Sequence, residues 1–432
     1  MDDHPMSQGA LVSSIVEDIV TRVLRSWPPP GNHAAKDEPG RDLVFSGTLA
    51  SGQPGAALLL ATVADADLMA RTILHDRLRW SASVVGMAGG LYGGILGTGF
   101  VGRLVAKPEE YHRLFTAIDA VASRSLPDPG RRAELAAERA LKTGDYDLMT
   151  GLTGWGAYYL SVARRTGEWQ PLRLVVERLV GWLSSLSIDG EPRLGWIAFN
   201  PPNLRQEMPE ELASGYYSTG IAHGIAGPLT LLSLVLQEEA PIAGVEEAIL
   251  ILAEWLCEQR VASAAAGSWP PNVPVRQRDG EPARLGGRNG WCYGAPGIGW
   301  ALLNAGIALR SGYFHQIGLD AIRATVAQAL TGMPMTPCLC HGAAGLLQIC
   351  NRVRTLEPGL GWVEAAQERL AGALVEQYDG DSTYGFPDPS SQSPAGADSA
   401  GLLEGSAGIA LALASFAGRV HVPSWDAILL LT

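Results

Sequence analysis

The sequence predicts an all-α protein, an α/α toroid (a double barrel) of seven helical hairpins joined by glycine-rich turns. Two observations carry this expectation. Gly-x-x-Gly recurs seven times, each time ahead of an apolar, helix-like run. Between these runs the chain is rich in helix formers and poor in strand signals. Glycine makes up 52 of the 432 residues, above the average share of about 7%. It gathers in these motifs and not in a linker. Seven helix pairs of this kind close naturally into a ring of inner helices surrounded by outer ones.

In order, the units begin at Gly52-Gln-Pro-Gly55, Gly90-Leu-Tyr-Gly93, Gly151-Leu-Thr-Gly154 and Gly224-Ile-Ala-Gly227. Then come Gly294-Ala-Pro-Gly297, Gly342-Ala-Ala-Gly345 and Gly405-Ser-Ala-Gly408. Their spacing is uneven, as in a repeat with insertions. In each, glycine is expected to permit positive φ and close backbone approach, so that a tight turn leads into a buried helix. Helix formers and apolar spacing predict further helices over 64–78, 134–141, 172–186, 245–259, 319–330 and 362–377. Residues 1–50 read as an N-terminal helical and loop extension, and 51–415 as the repeats. Loops are expected over 27–40, 187–215, 263–290 and 380–396. Long loops inside a compact domain are usually functional, and two of these precede His223 and Cys292. No break in composition divides the chain, so residues 1–432 are expected to form a single domain.

A net charge of −12 argues against nucleic acid as a partner, because phosphate contact needs a basic surface. The acidic N-terminus lacks the apolar core of a signal peptide. No uninterrupted apolar stretch reaches the ~18–20 residues of a membrane span. Five cysteines, an odd number scattered along the chain, suggest reduced thiols in the cytoplasm.

Cys292, Cys340 and His341 sit just before repeat glycines. Corresponding places in a toroid point to the same end, so these three are expected to converge. Two cysteines and a histidine are soft ligands of the kind zinc prefers. Three protein ligands leave a fourth tetrahedral position open, the mark of a catalytic site. One buried cysteine is usually core, whereas three such residues at equivalent turns are a poor accident. Cys257 and Cys350 lie in helical sequence and look like core. Cys338 is a rival ligand, ranked behind His341 because Cys340-His341-Gly342 abuts the repeat glycine.

His223, in Gly-Ile-Ala-His-Gly, reads as a fourth ligand, a general acid/base or a structural cap. Asp147, four residues before Gly151, reads as a helix cap or as the partner that orients a histidine. Arg288, four before Cys292, reads as a holder of a developing oxyanion or as a surface arginine. No carboxylate pair stands out on the motif rim, which counts against a glycosidase on this fold. A zinc hydrolase would hold water in the open position, commonly with harder ligands than two cysteines and a histidine. A non-catalytic scaffold would have no need of Cys292, Cys340, His341 and His223 together.

Gly-x-x-His-Gly-x-x-Gly, Arg-x-x-Trp-Cys-Tyr-Gly and Cys-His-Gly, in this order, resemble the LanC-like family of lanthionine synthetase cyclases. The resemblance runs from about Gly52 to Ser415. It implies a Zn2+ ion held by Cys292, Cys340 and His341, with His223, Asp147, Arg288 and Tyr293 in catalysis. It implies Michael-type addition of a precursor-peptide cysteine to dehydroalanine or dehydrobutyrine, giving a thioether ring. His223 then protonates the α-carbon, Asp147 orients it, and Arg288 and Tyr293 stabilise the enolate oxygen. Too few residues precede the first unit for a dehydratase or kinase region, so a standalone class I cyclase is expected. Its implied partners are a dehydrated precursor peptide, a separate dehydratase and a transporter in one biosynthetic complex. The implied location is cytoplasmic, peripheral to that membrane-associated complex. A second reading within the family is an enzyme that adds glutathione to dehydrated residues.

Overall fold

A computed structural model of the chain describes residues 7–27, 46–64, 68–85, 89–105, 110–202, 207–238, 242–261, 268–275, 290–332, 335–388 and 398–432. The chain opens with helix α1 (Gln8–Arg25). Pairs of helices follow: α2 (Gln53–Val63) with α3 (Leu68–Val85), and α4 (Ile95–Val105) with α5 (His112–Ser125). The short α6 (Arg132–Ala137) precedes α7 (Leu152–Thr166) with α8 (Gln170–Leu183), then α9 (Ala226–Gln237) with α10 (Val245–Glu258). Next are α11 (Ala295–Ala308) with α12 (Gly312–Thr331) and α13 (Ala343–Leu356) with α14 (Gly361–Glu376), and finally α15 (Ser406–Phe416).

The two members of a pair differ in sequence for a physical reason. In α9 every residue from Ala226 to Val235 is buried, so the helix is apolar all round. In α10 the buried residues are Val245, Ile249, Leu252, Ala253 and Leu256. That three-and-four spacing is one apolar stripe, and the exposed face carries Glu246, Glu247, Glu254 and Glu258 together with Leu250 and Ile251.

Contacts divide the chain into two compact units. One combines Met1–Val121 with Gln328–Leu431, and the other is Ala122–Ala327 with Thr432. In the first, α2 packs on α3, α4 and α15, while α13 packs on α14 and α15. The seventh glycine turn leads into α15, and the residues described after it form only the short 3-10 turn Trp425–Leu429. Helix α1 takes the place of a paired helix, laying Val12, Ile15, Val16, Ile19 and Val23 inward. In the second unit, α9 packs on α7, α10 and α11.

Several boundaries differ from the sequence expectation. The helix expected over 172–186 stops at Leu183, and Leu186–Ile188 (β1) pairs antiparallel with Glu191–Arg193 (β2). Asp189 and Gly190, at φ 55° and 80°, make the tight turn between them, the Asp-Gly preference of two-residue hairpins. A second ladder joins Tyr216–Ser218 (β3) to Asn272–Pro274 (β4). The helix expected over 134–141 is only the short α6. Much of the expected loops 27–40 and 263–290, and part of 380–396, lie outside the described residues.

The repeat glycines serve close approach more than unusual φ. Among them only Gly90 and Gly294 have positive φ. A Cβ on Gly227 would lie 2.6 Å from the Ile221 carbonyl oxygen, and one on Gly97 would lie 2.6 Å from that of Leu91. The same carbonyl, six residues back, crowds Gly297 and Gly408. A Cβ on Gly93, by contrast, would meet nothing within 4 Å. Helix α4 begins directly after Gly94. The second unit's working motif is therefore Gly94-Ile-Leu-Gly97, four residues beyond the expected Gly90-Leu-Tyr-Gly93.

Candidate metal centre

The turns ending at the repeat glycines are laced by backbone hydrogen bonds, in one register at every turn but that of Leu148, which stands three residues before its glycine. In the Ala122–Ala327 unit, Leu148 N–H donates to Ala222 O (3.1 Å), and Ala222 N–H donates to Cys292 O (3.3 Å). In the other unit, Cys340 N–H donates to Leu403 O (2.9 Å) and Leu403 N–H to Ala50 O (2.9 Å). Ala50 N–H continues the series to Tyr92 O (3.3 Å). Ala50, Tyr92, Ala222, Cys292, Cys340 and Leu403 thus hold one position, two residues before a glycine. The next position holds Ser51, His223, Tyr293, His341 and Glu404.

Strand β3 delivers the chain into the His223 turn, and the Thr219 hydroxyl pins that turn by donating to Pro270 O (2.7 Å). His223 Nδ1 donates to Asp147 Oδ2 at 2.6 Å. Asp147 is 1% exposed, and the His223 side chain is 41% exposed. The other carboxylate oxygen, Oδ1, accepts from the N–H groups of Thr150 (2.8 Å) and Gly151 (3.0 Å). Asp147 is therefore both the cap of the turn into α7 and the partner of the histidine. Burial draws the His223 pKa down, but the hydrogen bond and charge of Asp147, with Cys292 nearby, outweigh it and leave the imidazole above the usual histidine value.

Tyr293 lies beside this pair, its ring nearly parallel to that of His223 with centroids 6.4 Å apart. Burial pushes its phenol well above the ordinary tyrosine value, only partly offset by a hydrogen bond with Ser218. The phenol stays protonated at neutral pH and is a donor. Gly220 allows the turns to meet, because a Cβ there would lie 2.5 Å from Cys292 O and 2.6 Å from Tyr293 Cδ1.

Cys292 is buried, and Cys340 and His341 are half-buried. Each offers one ligand atom, and the three atoms lie within 4.8 Å of one another, so these residues could hold a metal ion. A zinc ion at about 2.3 Å from sulfur and about 2.0 Å from imidazole nitrogen suits that span and that donor set. Cys338 is not in this group. It is buried, with its sulfur 3.5 Å from the Thr336 hydroxyl. It stands four residues before Gly342, as Asp147 stands before Gly151. Arg288 lies outside the described residues. Ser218, Gly220 and Glu404 were not singled out from the sequence. For Glu404 the signal was present: it immediately precedes Gly405, as His341 precedes Gly342.

Three comparisons bear on kinship. "Nisin biosynthesis protein NisC" of Lactococcus lactis subsp. lactis is 23% identical over 400 residues, spanning 89% of this chain and 88% of that protein. A solved structure titled "Nisin cyclase" superposes with a TM-score of 0.73 at 20% identity, covering 96% of this chain and 97% of the other. That likeness carries the fold and bears out the expected all-α toroid class. The family profile described as "Lanthionine synthetase C-like protein" matches residues 44–430. With a match of that length, the chain belongs to the lanthionine synthetase C-like family.

Proposed function

We propose that the chain is a zinc-dependent lanthipeptide cyclase, joining cysteine thiols of a dehydrated precursor peptide to dehydroalanine or dehydrobutyrine as thioethers. The observation that carries this reading is the Cys292, Cys340 and His341 donor set, in a chain that also pairs His223 with Asp147. Its family, and the nisin-related titles of two relatives, agree with it. Cys292, Cys340 and His341 are the proposed ligands. A bound zinc ion would make a coordinating thiol a thiolate at neutral pH, the nucleophile that this addition requires.

The remaining chemistry falls to the chain's own side chains. Addition at the β-carbon leaves negative charge on the α-carbon and its carbonyl oxygen. Asp147 accepts from His223 Nδ1, which leaves Nε2 to carry the transferable proton. His223 is the general acid that protonates the α-carbon. Tyr293, held protonated, donates to the enolate oxygen together with Arg288. The balance is one S–H added across one C=C, with no redox change. The proposed setting is a single catalytic domain over 1–432, cytoplasmic and supplied by a separate dehydratase.

The test combines zinc analysis with thiol alkylation and mass spectrometry of a dehydrated peptide. Each ring removes one alkylatable thiol at constant peptide mass. Zinc-loaded protein that leaves the thiol count of its own precursor unchanged would refute the cyclase reading. Cys292→Ala is expected to lose zinc. His223→Asn is expected to keep zinc and form no correct rings, and zinc loss there would make His223 a ligand.

A further inference from the structure

We propose that Glu404 is the positioning residue for His341, its carboxylate accepting the ring N–H that His341 does not offer to the metal. The inference rests on the proposed zinc site and extends it by one residue.

The backbone register carries it. Cys340 N–H donates to Leu403 O, and Ala222 N–H donates to Cys292 O, through the same pair of turn positions. In the second case the following residues, His223 and Tyr293, lie side by side with ring centroids 6.4 Å apart. The residues in those places in the first case are His341 and Glu404. One ladder step therefore sets a carboxylate next to the histidine, on turns belonging to the same compact unit.

The local sequence gives a second argument. Leu402 and Leu403 on one side and Ser406 on the other are buried, and Glu404 between them is half-buried. A carboxylate held between buried neighbours at the turn is confined to a short reach, within which it can accept a hydrogen bond. Imidazoles that bind metals regularly donate their second N–H to a carboxylate or carbonyl, which fixes the ring and raises its basicity. Asp147 serves His223 in just this manner at 2.6 Å.

The experiment measures zinc affinity of the full chain by competition with a chromophoric chelator, for wild type, Glu404→Gln and Glu404→Ala. Thermal melts of the zinc-free proteins run alongside. Glu404→Ala is expected to bind zinc about 10- to 100-fold more weakly, with an unchanged zinc-free melt. Glu404→Gln is expected to fall between, since its amide oxygen still accepts but carries no charge. Should the Ala variant fail to fold, the Gln variant decides by the same readout. Wild-type affinity in both variants would overturn the proposal while leaving the zinc site intact. A wild-type chain that takes up no zinc would overturn the metal centre, and this role for Glu404 with it.

Discussion

Asp147 divides its two oxygens between two tasks, and the division separates the effects of substitution. Asparagine keeps an oxygen for the Thr150 and Gly151 N–H groups, but its amide can turn an N–H toward His223 Nδ1. That favours the wrong imidazole tautomer. Asp147→Asn is expected to melt near wild type while ring formation slows by roughly 10²–10⁴-fold, read by alkylation kinetics. Asp147→Ala also leaves two N–H groups without their acceptor and is expected to cost about 1–3 kcal/mol, read by urea unfolding. The sequence left Asp147 open between a cap and a histidine partner because both readings are true of it. The cysteines and His341 were legible because they are tied to glycines that mark the turns. Ser218 and Gly220 were not, since their contacts with the Tyr293 turn span a long stretch of chain.

At the scale of elements, pairing was easier to read than phase. Runs such as Ala226–Val235 are apolar enough to announce a buried helix. The second unit misled because Gly89, Gly90, Gly93 and Gly94 stand close together, and a glycine pattern alone does not choose among them. The choice is steric and can be tested. Gly97→Ala places a methyl group against Leu91 O and Leu49 Cβ and is expected to destabilise by about 1–3 kcal/mol. Gly93→Ala meets open space and is expected to stay within about 0.5 kcal/mol of wild type. Equal effects in chemical denaturation would return the motif to Gly90 and Gly93. The β1–β2 hairpin escaped notice because three-residue strands are too short to show alternation, leaving only Asp189-Gly190 as a signal.

At the scale of the molecule, the sequence conveyed the repeat number and fold class but not what accompanies the last turn. An amphipathic segment far from its partner carries no mark of where it docks. Arg77 of α3 shows how α1 is secured. It is buried, its guanidinium donates to Val23 O and to the Ser26 hydroxyl, and it lies 5.1 Å from the Trp27 ring centroid. Burial lowers its pKa to about 10, so it remains charged at neutral pH. Arg77→Met removes donors to the C-terminal end of α1 and is expected to cost about 2–3 kcal/mol. Hydrogen exchange should then rise first in residues 8–25.

The pairing of α1 with α15 also sets an order of events during synthesis. Helix α1 (Gln8–Arg25) is made long before its partner, α15 (Ser406–Phe416). At about 5–20 residues per second, the apolar stripe of Val12, Ile15, Val16, Ile19 and Val23 waits on the order of half a minute or more for α15 to leave the ribosome. During that interval α2 and Arg77 can already meet α1, but the part of its apolar stripe that packs on α15 stays uncovered. Its yield in a cell should therefore depend on chaperone supply at the ribosome more steeply than its equilibrium stability would suggest.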